Sequence, residues 1–150
     1  MKKMRLASSV FYHGGFIPKE YSCDGVGEHP PLQLFGVPEE AKSLVLIVDD
    51  PDAPLGLWTH WLLWNIDPQT IEIKACEVPA GAVQGKTSSG ENVWGPPCPP
   101  SGTHHYRFKL FALDAALVLD SSAKQKDLEA ALPGRVLDQA ELIGLYAREK

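Results

Sequence analysis

Acidic, imidazole, hydroxyl and thiol side chains crowd into two short proline-rich stretches of this 150-residue chain. One is Asp50-Pro51-Asp52-Ala53-Pro54, with Thr59-His60-Trp61 behind it; the other is Pro96-Pro97-Cys98-Pro99-Pro100-Ser101-Gly102-Thr103-His104-His105-Tyr106. They hold six of the thirteen prolines and three of the five histidines. Proline fixes φ and removes a donor, whereas histidine titrates near neutral pH. Stiff backbone carrying titratable groups is what a preformed small-ligand site needs. Imidazoles, a tyrosine hydroxyl and loop N–H groups can hold the oxygens of a phosphate or carboxylate. Asp50 only accepts when ionised and repels a bare anion. Its work is to orient a histidine or raise that histidine's pKa, or to accept from a ligand ammonium or hydroxyl.

Other chemistries use the same residue types. Cys98 or Ser101 with His104 and Asp50 supplies a nucleophile, a base and an orienter, yet no GxSxG elbow accompanies them. Asp50, His60, Cys98 and His104 are zinc-binding types, but their spacing matches no closed structural pattern, so no metal and no cofactor is assigned. Asp52 reads as a turn residue bonding backbone amides, and Cys98 as a small packed residue of the proline loop.

The elements must bring these groups together. Leu44-Val45-Leu46-Ile47-Val48 is a continuous apolar run leaving through Asp49-Asp50-Pro51, which predicts a strand buried on both faces. Trp61 to Ile66 reads the same way, and Tyr106 to Leu113 alternates as a third strand with one wetter face. If the first two are antiparallel neighbours, Asp50 and His60 lie at the same end of the sheet. Alternation groups His60 with Leu62, Trp64 and Ile66, Asp50 with Leu44, Leu46 and Val48, and His104 and Tyr106 with Phe108 and Leu110. His105 and Arg107 point the other way. The expected cluster is Asp50, His60, His104 and Tyr106 at the mouth of the core.

Ser8 to Tyr21 predicts strand mixed with turn, and Gly81 to Gly102 a long structured loop of the kind that carries function. Ser121 or Ser122 caps a helix through about Leu132, closed by Pro133-Gly134. Val136 to Arg148 spaces Val136, Leu137, Ala140, Leu142, Ile143, Leu145 and Tyr146 as a second helix. No repeat or linker divides the chain, so residues 1–150 are read as one domain.

A hydrophobic content of 44% and a charged content of 22% are ordinary for a globular chain, and a net charge of -5 argues against nucleic acid. No stretch approaches the roughly 18 apolar residues of a membrane span. The basic start lacks the apolar core of a signal peptide, giving a cytoplasmic location as the expectation. Cys23, Cys76 and Cys98 are odd in number and lack CxxC spacing. That speaks against a disulfide framework or structural zinc and leaves room for one bridge.

DDPDAP, THW and GPPCPPSGTHHYRFKLFALD resemble the phosphatidylethanolamine-binding protein family, in its compact bacterial and archaeal branch of Raf-kinase-inhibitor-like proteins. Phe11 to Gly25, Pro30-Pro31-Leu32 and Ala140 to Gly144 extend the match over roughly residues 8–148. The resemblance implies a mainly β, two-sheet antiparallel sandwich with flanking helices, and a pocket for phosphate or a phosphoryl group rather than an enzyme. Its polar lining carries over to Asp50, His60, His104 and Tyr106, and its walls to Pro51, Pro54, Pro97 and Pro99 or Pro100, with Ala53–Pro54 as a candidate cis bond. Asp52, His105, Arg107, Trp94 and Cys98 are its supporting residues. His105 replaces the family's arginine, which puts a bridge to Asp52 in doubt and makes Arg107 the substitute. Trp94 and Pro96 replace a tyrosine and a glycine. Implied partners are a small phosphorylated ligand or free anion, a kinase or a serine protease inhibited through a surface loop, and a second copy in a homodimer. The long C-terminal extension of the animal members is not in this chain, which weighs against the kinase.

Overall fold

The computed structural model describes residues 3–148. In chain order the strands are β1 (Arg5–Ala7), β2 (Leu32–Phe35), β3 (Ser43–Asp50), β4 (Trp58–Ile66), β5 (Glu72–Ile73), β6 (Val83–Gln84) and β7 (His104–Leu113). Helix α1 (Gln125–Ala130) and β8 (Val136–Tyr146) follow. They form two antiparallel sheets, β1-β2-β5 and β6-β4-β3-β7-β8. The mainly β two-sheet fold expected from the sequence is the one observed.

The apolar run of β3 is central for a physical reason. Leu44, Leu46 and Val48 enter the core between the sheets with Leu6, Leu34, Trp61, Leu63 and Phe108. Val45 and Ile47 face the other way, into a second layer with Leu62, Trp64 and Leu128 of α1. Every side chain from Leu44 to Val48 is wholly buried, as a strand covered on both faces requires.

Three expectations are corrected. Val136–Tyr146 is a strand, paired with β7 from His104↔Tyr146 to Leu113↔Val136. Its inward residues are Asp138, Leu142, Gly144 and Tyr146, at period two. Ile143 and Leu145 on the opposite face are half-buried, and the free edge of β8 is paired by residues 14–17, where Gly14 N–H donates to Ile143 O and Ile17 N–H to Leu145 O. Aliphatic residues on both faces mimic helical spacing, and long-range pairing overrides it. Helix α1 starts later and is shorter than expected, because the Ser122 hydroxyl bonds the Asp120 carboxylate and Lys124 takes the N-cap, its N–H donating to Asp127 at 2.9 Å. Ser8 to Tyr21 holds a 3-10 turn at Lys19–Tyr21 and, in place of a full strand, a single parallel bridge of Phe16 to Leu145; β1 precedes it.

Candidate functional site

β3 ends at Asp50, β4 begins at Trp58 opposite it, and β7 begins at His104, so three strand ends meet at one edge of the large sheet. Strict alternation fails on β4. Val48 pairs with Trp61 but Asp49 pairs with Thr59, so His60 is an extra residue in the ladder, a bulge. Leu62 and Trp64 face the outer layer, whereas the His60 ring turns inward against Tyr106 (centroids 5.2 Å) and Trp94 (6.5 Å). The expectation that His60 shares a face with Leu62 and Trp64 is therefore corrected, and the bulge is what places it with Asp50. Ile66 also leaves that face, through a second register shift between Leu44 and Leu46.

Each polar group is held. Asp50 accepts the His104 Nδ1 hydrogen at Oδ2 (2.6 Å) and the Asp52 backbone N–H at Oδ1 (2.8 Å). His60 Nδ1 donates to Gly95 O at 2.7 Å, and Gly95 N–H returns a bond to His60 O at 2.8 Å. A carbonyl can only accept, so neutral His60 carries its proton on Nδ1 and a lone pair on Nε2. Burial, partly offset by the Gly95 bond, pulls the His60 pKa below its ordinary value. Tyr106 shifts the opposite way: burial first, then the nearby Asp50 charge, keep its hydroxyl protonated far above neutral pH, as a donor.

A cavity of about 430 Å³ opens on these groups. Of the proposed walls, Pro54, Pro99 and Pro100 line it; Pro51 and Pro97 do not. The Ala53–Pro54 bond is trans, since no cis peptide bond occurs among the described residues. Cys98 is at the wall too, but bonded to Cys23 (Cα–Cα 5.4 Å), with Cys23 N–H donating to Pro97 O at 3.0 Å. The reading of Cys98 as a lone packed residue is corrected, and its thiol is not free to act as a nucleophile. Sequence reasoning missed Thr87, Ser89 and Glu91 among the lining residues; Thr59 also borders the cavity, but its hydroxyl turns away to Gln125. Thr87 and Ser89 join their hydroxyls at 2.8 Å in the Gly81–Gly102 stretch, which is not loop throughout, since β6 (Val83–Gln84) inside it pairs with β4.

Of the supporting residues, Cys98 lines this cavity and Asp52, His105, Arg107 and Trp94 do not. His105 itself bonds Asp52: its backbone N–H and ring Nδ1 both reach Oδ2 at 2.7 Å, and these bonds hold the Asp52 carboxyl below its ordinary pKa. Arg107 is not the substitute, because the register sets it opposite Asp49, and its Nε donates to Asp49 Oδ1 at 2.7 Å. Trp94 is buried in the core, stacked on Phe108 and edge-on to Trp61. Among the described residues no group of three or more His, Cys, Asp or Glu is placed to hold a metal.

Comparison with known proteins agrees with this architecture. The phosphatidylethanolamine-binding protein family model matches residues 7–147. A UPF0098 protein of Methanothermobacter thermautotrophicus is 48% identical over 97% of this chain and 99% of its own length. One from Pyrococcus horikoshii is 48% identical over 99% and 79%. Among solved structures, the homologue CT736 of Chlamydia trachomatis superposes with a TM-score of 0.95 at 42% identity, covering 99% of this chain and all of that one. YbcL of Escherichia coli gives 0.90 at 30%, covering 97% and 99%. With the family model spanning nearly the whole chain and close relatives matched end to end, the protein belongs to the phosphatidylethanolamine-binding protein family.

Proposed function

We propose that the cavity binds a small tetrahedral anion, as free phosphate or as the phosphoryl group of a small molecule, without catalysing its conversion. The carrying observation is that two imidazoles, each fixed through Nδ1 by a different acceptor, and one buried tyrosine hydroxyl border a single proline-walled cavity. Fixing Nδ1 leaves Nε2 of each ring as the nitrogen for a ligand. The described lining contains neither Lys nor Arg, so positive charge for an anion has to come from an imidazolium. Such a site binds in the millimolar range, around 4 kcal/mol.

No helix among the described residues is long and apolar enough to cross a membrane. The proposed cytoplasmic location has to accommodate the Cys23–Cys98 bond, which is commoner in oxidising compartments and in hyperthermophiles. Action on a kinase or serine protease, and a homodimer, stay expectations from the resemblance.

Titration with inorganic phosphate and O-phosphorylethanolamine, followed on the His60 and His104 ring signals by NMR, tests the reading. Both rings are expected to shift and saturate together, and signals that stay put at tens of millimolar, about tenfold beyond the expected Kd, overturn it.

A further inference from the structure

Behind the pocket, on the opposite face of the same strand ends, lies a buried polar network. Asp49, wholly buried, accepts from Arg107 Nε (2.7 Å), Lys109 Nζ (2.8 Å) and Gln125 Nε2 (2.8 Å). Gln125, the first residue of α1, takes the Thr59 hydroxyl at Oε1 (2.5 Å). Each strand that carries a pocket residue thus carries a network residue next to it in sequence: Asp49 beside Asp50, Thr59 beside His60, Arg107 beside Tyr106. Alternation sends the first of each pair backward and the second forward.

Gln125 is the link that reaches β4. Asp49 pairs with Thr59 only because the His60 bulge shifts the register by one residue, and the Gln125 amide, donating to one and accepting from the other, bridges that shifted pair. A buried carboxylate held by two cations and an amide is costly to desolvate, and such groups are best justified where they select one register or conformation. An apolar residue at position 125 could pack in the same layer; it could not choose between the bulged and unbulged ladders.

We propose that Gln125 is a positioning residue for the anion pocket: through Thr59 and Asp49 it fixes the β4 bulge that turns the His60 ring toward Asp50 and sets its bond to Gly95. The step to ligand affinity rests on the anion-binding reading above; the step to His60 geometry does not. In Gln125→Met, which keeps length and volume, His60 loses its preference for the Nδ1-protonated tautomer, and the phosphate Kd rises about tenfold, as expected for a misplaced binding group. Thr59→Val changes the His60 tautomer in the same way, while Thr59→Ser, which keeps the hydroxyl bonded to Gln125, keeps the parent's tautomer.

The measurement is ring-nitrogen NMR of His60 in the ligand-free proteins, followed by phosphate titration, with cooperative urea unfolding as the check on folding. An unchanged His60 tautomer in a folded Gln125→Met or Thr59→Val overturns the inference. Because these substitutions lie on different elements, either one suffices if the other does not fold; failure of both to fold while Thr59→Ser folds also overturns it, showing the network to be required for the fold as a whole. A parent that ignores phosphate, with variants that still change tautomer, defeats the binding reading and leaves the positioning role standing.

Discussion

At the scale of the residue, the pocket's behaviour turns on which His60 nitrogen bears a proton. With Nδ1 committed to Gly95, the neutral ring offers a lone pair at Nε2, the wrong sign for an anion. For the proposed anion, a charge-assisted contact at His60 Nε2 therefore requires a proton on that nitrogen, and burial, by lowering the pKa, moves its uptake below the usual histidine range. Sulfate, which does not titrate here, is expected to bind more tightly at about pH 5.5 than at about pH 7.5, and His60→Gln to flatten that dependence. Equal calorimetric affinities at the two pH values exclude His60 as the contact. The same lowered pKa makes the unfolded chain take up the proton first. His60 thus contributes stability above its unfolded pKa of about 6.5 that is lost as pH falls through the window below it, down to the folded pKa.

At the scale of the element, β3, β4 and β7 were readable because their apolar runs are long and their ends carry turn residues. The path from His60 to the pocket was not, since a bulge is a register event between two strands and leaves no mark in either one alone. β8 was misread because Ile143 and Leu145 gave its second face the same aliphatic character as its first. Asp49 stands directly before Asp50 in the sequence, and nothing local separates a carboxylate aimed at a ligand from one aimed at Arg107. Gln125 carried no signal, its role being set by residues 66 and 76 positions away. Gly144 of β8 shows how tight the resulting layer is. A Cβ there would lie 2.6 Å from Ile17 Cγ1 and 2.8 Å from the Phe11 ring, so Gly144→Ala is expected to cost about 1–3 kcal/mol in urea unfolding. A cost near zero would show that the segment ahead of β2 yields freely.

At the scale of the whole molecule, the Cys23–Cys98 bond joins segments 75 residues apart and fastens the proline loop to the chain before β2. Closing so long a loop removes unfolded-state entropy worth about 4 kcal/mol in the chain-entropy account. Cys98→Ser is expected to lower the urea midpoint accordingly, and reductant to lower the parent's midpoint but not the variant's. A reductant-insensitive parent contradicts this. The strand order β6-β4-β3-β7-β8 carries one more consequence, for synthesis. The β3–β4 pair leaves the ribosome before β7, so the second edge of β3, aliphatic from Leu44 to Val48, stays unpaired until β7 emerges; His104 is 54 residues behind Asp50. In that interval the nascent chain presents a bare, apolar strand edge, the kind of surface that recruits other chains, so this protein's exposure to aggregation is greatest before its candidate pocket exists.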